Sequence, residues 1–173
     1  MVKLTFFRPI ADMPYKKKIK VLTVCTGNIC RSPMAEGVVR TVFEADQSID
    51  VSSAGTHAVE GNPATEFAIL ASREKRIDIT DHRARMLDSM LIKGGDIILC
   101  MEPAHAEWVL SIDSSAYEKV YNLADFSGTG GNLRKIADPY GCSLREYRMC
   151  FDTIDKCVHN FIAFCRGKNL LPG

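Results

Sequence analysis

Short hydrophobic runs alternate along this chain with segments whose apolar residues recur every three or four positions. The runs are rich in β-branched residues and predict four buried strands, at 19–25, 49–54, 96–101 and 119–123. Helices are predicted from Ser32-Pro33 onward, with Ser32 as the N-cap, and over 63–76, 104–112 and about 142–166. The last of these helices has one apolar face, formed by Leu144, Tyr147, Phe151, Ile154, Val158, Phe161 and Cys165.

The regular alternation of strands and helices predicts an α/β fold. Because parallel strands need helical crossovers, we expect a three-layer α/β/α arrangement around a four-stranded parallel sheet. Ligands in such folds bind beyond the carboxyl ends of the strands, where the loop after the first strand lies. Residues 1–18 are interpreted as an N-terminal extension, residues 19–170 as one domain, and the glycine-rich segment 127–132 as a loop.

Composition and charge narrow the class of protein. The 173-residue chain is 46% apolar and has a formal net charge of +1, so neither nucleic acid nor a membrane is expected as its main partner. The N-terminal segment is interrupted by Arg8, Pro9 and Asp12 and therefore lacks the apolar run of a secretion signal. We expect a cytoplasmic protein, and a monomer. The seven cysteines show neither a disulfide framework nor zinc-binding spacing, so no metal site is expected.

The segment 25–31, CTGNICR, carries the functional prediction. It joins a buried strand to a helix N-terminus, where free backbone N–H groups converge and can bind a tetrahedral anion. Gly27 permits a sharp turn, and Asn28 tolerates a left-handed backbone. The N–H groups and Arg31 favour the thiolate form of Cys25, and the planar guanidinium can bind two phosphate oxygens. Because these groups already supply a positive field, no cofactor is expected.

Several motifs in the same order resemble the low molecular weight protein tyrosine phosphatases. Besides segment 25–31, they are Ser53-Ala54-Gly55-Thr56, the runs 81–85 (DHRAR) and 96–102, and Asp138-Pro139-Tyr140. The resemblance extends from about residue 19 to the last helix. It implies a phosphatase that forms a phosphocysteine on Cys25 and binds phosphate with Arg31. The implied phosphate-binding loop consists of Thr26, Gly27, Asn28, Ile29, Cys30 and Ser32.

Hydrolysis of an aryl phosphate needs a proton donor, because the pKa of a phenol is near 10 and the bare phenolate leaves poorly. Asp138, in a loop before Pro139, is the candidate, and the resemblance implies that it acts as general acid in the first step and as general base in the second. The resemblance further implies that Ser32 donates a hydrogen bond to the nucleophilic sulfur, and that Asn28, Ser53 and His82 hold the loop. It also implies that Cys30 can form a reversible disulfide with the nucleophile under oxidant. No catalytic role is expected for His57, His105 and His159.

The sequence also suggests how the mouth of the substrate pocket is built. Tyr140 is expected to form one wall, where an aromatic ring can stack on an aryl ester. Val59 stands where many family members have Trp or Tyr, and Gly141 replaces a second tyrosine. Both departures resemble bacterial members tied to exopolysaccharide kinases. They imply phosphotyrosine proteins as partners, including a bacterial tyrosine kinase.

Three other functions stay open. A thiol-dependent arsenate reductase shares this fold and loop, but it needs two further cysteines close together, whereas Cys100 has no partner before Cys142. A protein arginine phosphatase has a similar loop, but with Thr at the position of Ile29 and Phe at that of Tyr140. A catalytically silent phosphate-binding module is disfavoured, because every catalytic residue type is present.

Overall fold

The computed structural model describes residues 18–45, 48–128 and 133–171. The interpreted extension, apart from Lys18, and most of the glycine-rich loop lie outside the described residues. The sheet consists of β1 (Ile19–Cys25), β2 (Ile49–Gly55), β3 (Ile97–Cys100) and β4 (Val120–Asn122). Its order is β2-β1-β3-β4, and each neighbouring pair is parallel. The predicted four-stranded parallel sheet is therefore confirmed.

Helices cover both faces of this sheet. They are α1 (Arg31–Val42), α2 (Glu66–Glu74), α3 (Ser89–Gly94), α4 (Pro103–Ile112) and α5 (Leu144–Gly167). Successive strand residues point to opposite faces, so Val21 and Leu99 belong to the core with α1 and α5, while Leu22 and Ile98 belong to the core with α3 and α4. Burial on both faces explains why the strands read as continuous apolar runs. The three-layer architecture is thus confirmed.

Several helix boundaries differ from the sequence prediction. The N-cap of α1 is Cys30 rather than Ser32, whose side chain is instead used inside the loop. The second helix begins at Glu66 and not at residue 63, because the Thr65 side chain accepts a hydrogen bond from the Ala68 N–H group and caps it. The last helix begins at Leu144, preceded by a capping box.

Some short elements were not predicted at all. They are α3, with six residues, and two 3₁₀ helices that flank β4, at Ser114–Lys119 and Leu123–Phe126. Across the described ranges, no helix is long and apolar enough to cross a membrane. In the same ranges, no group of three or more His, Cys, Asp or Glu side chains could hold a metal ion.

Candidate active site

A cleft of about 300 Å³ opens where β1 ends and α1 begins. Cys25, the last residue of β1, and Arg31, the first residue of α1, both line it, and Asp138 and Tyr140 reach it from the segment before α5. The structure therefore brings together residues separated by more than one hundred positions. The cleft is also lined by Thr26, Gly27, Ile29, Cys30 and Val59, as the sequence predicted, and by His57 and Asn62.

The loop from residue 25 to 31 folds back over its own first side chain. Asn28 adopts a left-handed backbone with φ 53°, and its N–H group lies 3.3 Å from the Cys25 sulfur. Gly55 at the end of β2 supports this turn from below. A Cβ atom at Gly55 would lie 2.5 Å from the Thr26 carbonyl oxygen, so only glycine allows β2 to pack this close.

The Asn28 side chain is the centre of a buried hydrogen-bond network. Its Nδ2 group donates to the hydroxyls of Ser32 and Ser53, each at 2.9 Å, and its Oδ1 accepts from the Arg85 N–H group at 2.9 Å. The Asn28 carbonyl lies 2.6 Å from Nε2 of His82, so this imidazole nitrogen donates to it. Burial is the main cause that lowers the pKa of His82. The predicted supporting residues thus surround one loop residue.

The hydroxyl of Ser32 is oriented toward the sulfur of Cys25. Its oxygen accepts from Asn28 and lies 2.9 Å from the sulfur, so its own hydrogen is available to an ionised sulfur. The Cys25 sulfur therefore lies within reach of two donors, the Ser32 hydroxyl and the Asn28 N–H group. Donors directed at a sulfur stabilise its ionised form more than its neutral form.

Arg31 places a positive charge at the bottom of the cleft, and only 2% of the residue is exposed. Its Nη1 group donates to Glu102 at 3.1 Å and to the Ile136 carbonyl at 3.2 Å, while Nη2 donates to Asp138. Its Nε group is buried and has no hydrogen-bond partner among the described residues. A buried guanidinium N–H without an acceptor is costly, and an anion bound in the cleft can supply one.

Asp138 is held at the mouth of the cleft by a tight turn. Its Oδ1 accepts from the Tyr140 N–H group at 3.2 Å, and Gly141 completes the turn with φ 77°. The Asp138 side chain is 45% exposed, so the carboxyl group can reach a ligand in the cleft. Tyr140 and Val59 flank the opening, and each is 65% exposed.

Cys30 belongs to a separate polar cluster beneath the loop. Its sulfur lies 3.3 Å from the Tyr147 hydroxyl and 3.4 Å from that of Thr65, which donates to Tyr147. Burial raises the pKa of the Cys30 thiol, although its hydrogen-bond contacts with Thr65 and Tyr147 oppose this. Cys25 and Cys30 are both free thiols, and a disulfide between them stays a prediction.

Sequence reasoning missed several partners of the predicted residues. Glu36 accepts from Ser53 at 2.6 Å, and Glu102 pairs with Arg31. Glu102 directly follows Met101 at the carboxyl end of β3, at the same sheet edge as the loop, and that position was a usable signal. His57 lies in the cleft wall, with its ring 4.7 Å from that of Trp108, and His105 contacts Thr26, although neither was expected to contribute.

Comparisons with known proteins agree with this arrangement. A family model described as low molecular weight phosphotyrosine protein phosphatase matches residues 20–170. A protein-arginine-phosphatase of Geobacillus stearothermophilus is 34% identical over 147 residues, covering 84% of this chain and 93% of that protein. EpsP of Ralstonia nicotianae, a probable low molecular weight protein-tyrosine-phosphatase, is 32% identical over 147 residues, covering 85% and 96%. The structure of Vibrio vulnificus Wzb in complex with benzylphosphonate has a TM-score of 0.77 at 31% identity, covering 84% and 98%.

Proposed function

The chain belongs to the low molecular weight phosphotyrosine protein phosphatases, and we propose that it hydrolyses phosphotyrosine in proteins with Cys25 as the nucleophile. The observation that carries this proposal is the pairing of a hydrogen-bonded sulfur with a buried guanidinium whose Nε has no acceptor among the described residues. A phosphate in the cleft would accept from Nε and Nη2 of Arg31 while its phosphorus faces the sulfur.

The residues of the cleft can carry out both steps of the reaction. The Cys25 thiolate attacks phosphorus, the bond to the phenolic oxygen breaks, and Asp138 gives that oxygen its proton. The ionised Asp138 then takes a proton from water, which attacks the phosphocysteine and releases phosphate and the thiolate. Ser32, 2.9 Å from the sulfur, stabilises the thiolate as it leaves.

The free protein holds the proposed acid in a resting position. Asp138 accepts from Nη2 of Arg31, where we expect a phosphate oxygen in the complex. A bound phosphate dianion would compete for this donor and repel the Asp138 carboxylate, which would release it from Arg31. Substrate binding would therefore prepare the proton donor for the first step.

The choice between phosphotyrosine and phosphoarginine depends on the cleft mouth. Relatives at similar identity include both kinds of phosphatase. Here Ile29 lines the cleft and Tyr140 lies at its rim. The flat phenyl ring of phosphotyrosine would therefore pack against one apolar and one aromatic side chain. A guanidinium would find fewer polar partners at these two positions, so we favour phosphotyrosine.

An arsenate reductase would need a relay of accessible thiols. Cys100, the residue from which such a relay would start, is fully buried. Burial raises its pKa to about 12, so the thiolate needed for disulfide exchange is scarce. The structure therefore favours the phosphatase reaction over arsenate reduction.

We also propose where and on what the protein acts. A thiolate nucleophile works where thiols stay reduced, so we propose the cytoplasm as the location of the protein. Its substrates would be phosphotyrosine proteins, with a bacterial tyrosine kinase as the candidate partner, and residues 19–170 would act as a monomeric domain. No cofactor is needed, because Arg31 and the loop N–H groups provide the positive field.

Steady-state hydrolysis tests the proposed nucleophile. Wild type should hydrolyse p-nitrophenyl phosphate and phosphotyrosine peptides, and Cys25→Ser should lose this activity while its thermal unfolding is unchanged. Cys142→Ser, a thiol outside the cleft, is the matched control and should keep full activity. Activity that survives in Cys25→Ser would refute the proposal, and faster turnover of phosphoarginine than phosphotyrosine peptides would reassign the substrate.

The proposed acid is tested by leaving-group dependence. Asp138→Asn cannot donate a proton, so its turnover should fall about 100-fold with phenyl phosphate. The loss should be much smaller with p-nitrophenyl phosphate, whose leaving group needs little protonation. Equal losses with both substrates would contradict this role for Asp138.

A further inference from the structure

We propose that the Thr26 side chain is an additional hydrogen-bond donor to the bound phosphate, and that His105 is the positioning residue that orients it. The inference rests on the proposed function, because it concerns the same cleft. It assigns a role to a histidine of α4 that lies behind the loop and outside the cleft lining.

Three side chains form a chain of contacts from the buried interior to the cleft. Thr26, directly after the nucleophile, is exposed in the cleft, and its Oγ1 lies 2.9 Å from Nε2 of His105. His105 is only 3% exposed, and the same Nε2 lies 3.3 Å from Oε1 of Glu102. Thr26 Oγ1 also lies 3.4 Å from Nη2 of Arg31. The hydroxyl therefore touches the residue proposed to bind phosphate.

The surroundings of His105 fix which ring nitrogen carries the proton. If Nε2 were unprotonated, its lone pair would face the Glu102 carboxylate oxygen. The proton would then be on Nδ1, which is buried and has no hydrogen-bond partner among the described residues. A buried N–H without an acceptor costs more than one that donates to the Thr26 hydroxyl beside the Glu102 carboxylate. His105 is therefore the Nε2–H tautomer and donates to Thr26.

This assignment determines where the Thr26 hydrogen goes. A hydroxyl has one hydrogen and can accept two hydrogen bonds. Thr26 Oγ1 accepts from Nε2–H of His105 and from Nη2–H of Arg31, so both acceptor positions are used. Its own hydrogen is left for an acceptor in the cleft, which Thr26 lines. A phosphate oxygen held by Arg31 is the acceptor that fits.

The donor arrangement is constant over the pH range in which a phosphatase works. Burial, assisted by the charge of Arg31, lowers the pKa of His105 to about 4. The imidazole therefore stays neutral near pH 7 and keeps the tautomer that Glu102 selects. Thr26 is presented to the ligand with its hydrogen free at every working pH.

Equilibrium binding of inorganic phosphate and vanadate to the full chain, measured by calorimetry, tests the proposal without turnover. Thr26→Val keeps the shape but removes the hydroxyl, and we expect it to weaken both anions about tenfold. Thr26→Ser restores the hydroxyl and should bind within about threefold of wild type. Thermal unfolding of each variant checks that it folds.

A double-mutant cycle tests the positioning role. His105→Leu should weaken phosphate binding in the wild-type background but not in the Thr26→Val background, because His105 acts through the hydroxyl. His105→Gln, which keeps an N–H donor, should recover part of the affinity. If His105→Leu weakened phosphate binding as much in the Thr26→Val background as in wild type, the positioning role would be overturned. If Thr26→Val itself bound phosphate with wild-type affinity, the whole inference would be overturned. A wild-type protein that binds no phosphate would overturn both this inference and the proposed function.

Discussion

Replacing Asn28 with alanine tests the network on which the loop depends. The substitution removes three side-chain hydrogen bonds, to Ser32, Ser53 and the Arg85 N–H group. At about 1 kcal/mol net for each bond, their loss lowers the free energy of unfolding by about 3 kcal/mol. Alanine also tolerates the φ of 53° less well than asparagine, which adds about 1 kcal/mol. The expected total is about 4 kcal/mol.

Thermal unfolding measures this loss directly. For a chain of this size, about 4 kcal/mol corresponds to a fall in Tm of roughly 8–16 °C. The matched variant Asn28→Gly loses the same hydrogen bonds but accepts the left-handed backbone, so its Tm should lie above that of Asn28→Ala. Turnover should fall in both variants, because Ser32 is no longer oriented toward Cys25. A fall in Tm below about 3 °C for Asn28→Ala would refute the reasoning, since the hydrogen bonds would then contribute almost nothing.

Three further predictions concern other parts of the site. Gly55→Ala should distort the loop, because its Cβ would lie 2.5 Å from the Thr26 carbonyl oxygen. Calorimetry should then show a phosphate affinity about tenfold or more below that of wild type. Gly94→Ala, which has open space around its Cβ, is the control and should bind phosphate like wild type. Because the pKa of His105 is about 4 in the folded protein and near 6.5 in the unfolded chain, the unfolded chain binds more protons between these values. The free energy of unfolding measured in urea should therefore fall by about 1.4 kcal/mol per pH unit as the pH drops from about 6.5 to 4. In His105→Gln this free energy should change less with pH. Tyr147→Phe should lower the unfolding free energy by about 1 kcal/mol and leave turnover unchanged; a large loss of turnover would show that the cluster around Cys30 controls the loop.

The sheet and the placement of Cys25 and Arg31 in one loop could be predicted from the sequence because their signals are local. Cys25 and Arg31 lie in one short segment between a β-branched run and a helix, and that setting predicts an anion site. The Arg31–Glu102 contact joins residues 71 positions apart, and only the sheet order brings them together. The proton position on His105 depends on burial and on Glu102, so no sequence pattern could indicate it.

Helix boundaries failed for a related reason. The periodic pattern around residue 63 is compatible with a helix, but Pro63 bridges to Arg83 and the chain turns into α2 only at Thr65. The six residues of α3 are too few to show a period of 3.6. Tertiary contacts determine both the start of α2 and the formation of α3, and a short stretch of sequence does not indicate such contacts.

The contact between His57 and Trp108 provides an optical reporter of cleft occupancy. Trp108 is the only tryptophan of the chain, and its ring lies 4.7 Å from an imidazole that lines the cleft. Indole emission responds to the charge and distance of a neighbouring imidazole. A ligand that moves the His57 ring will therefore change the intrinsic fluorescence of the whole protein, so anion binding can be titrated without a label.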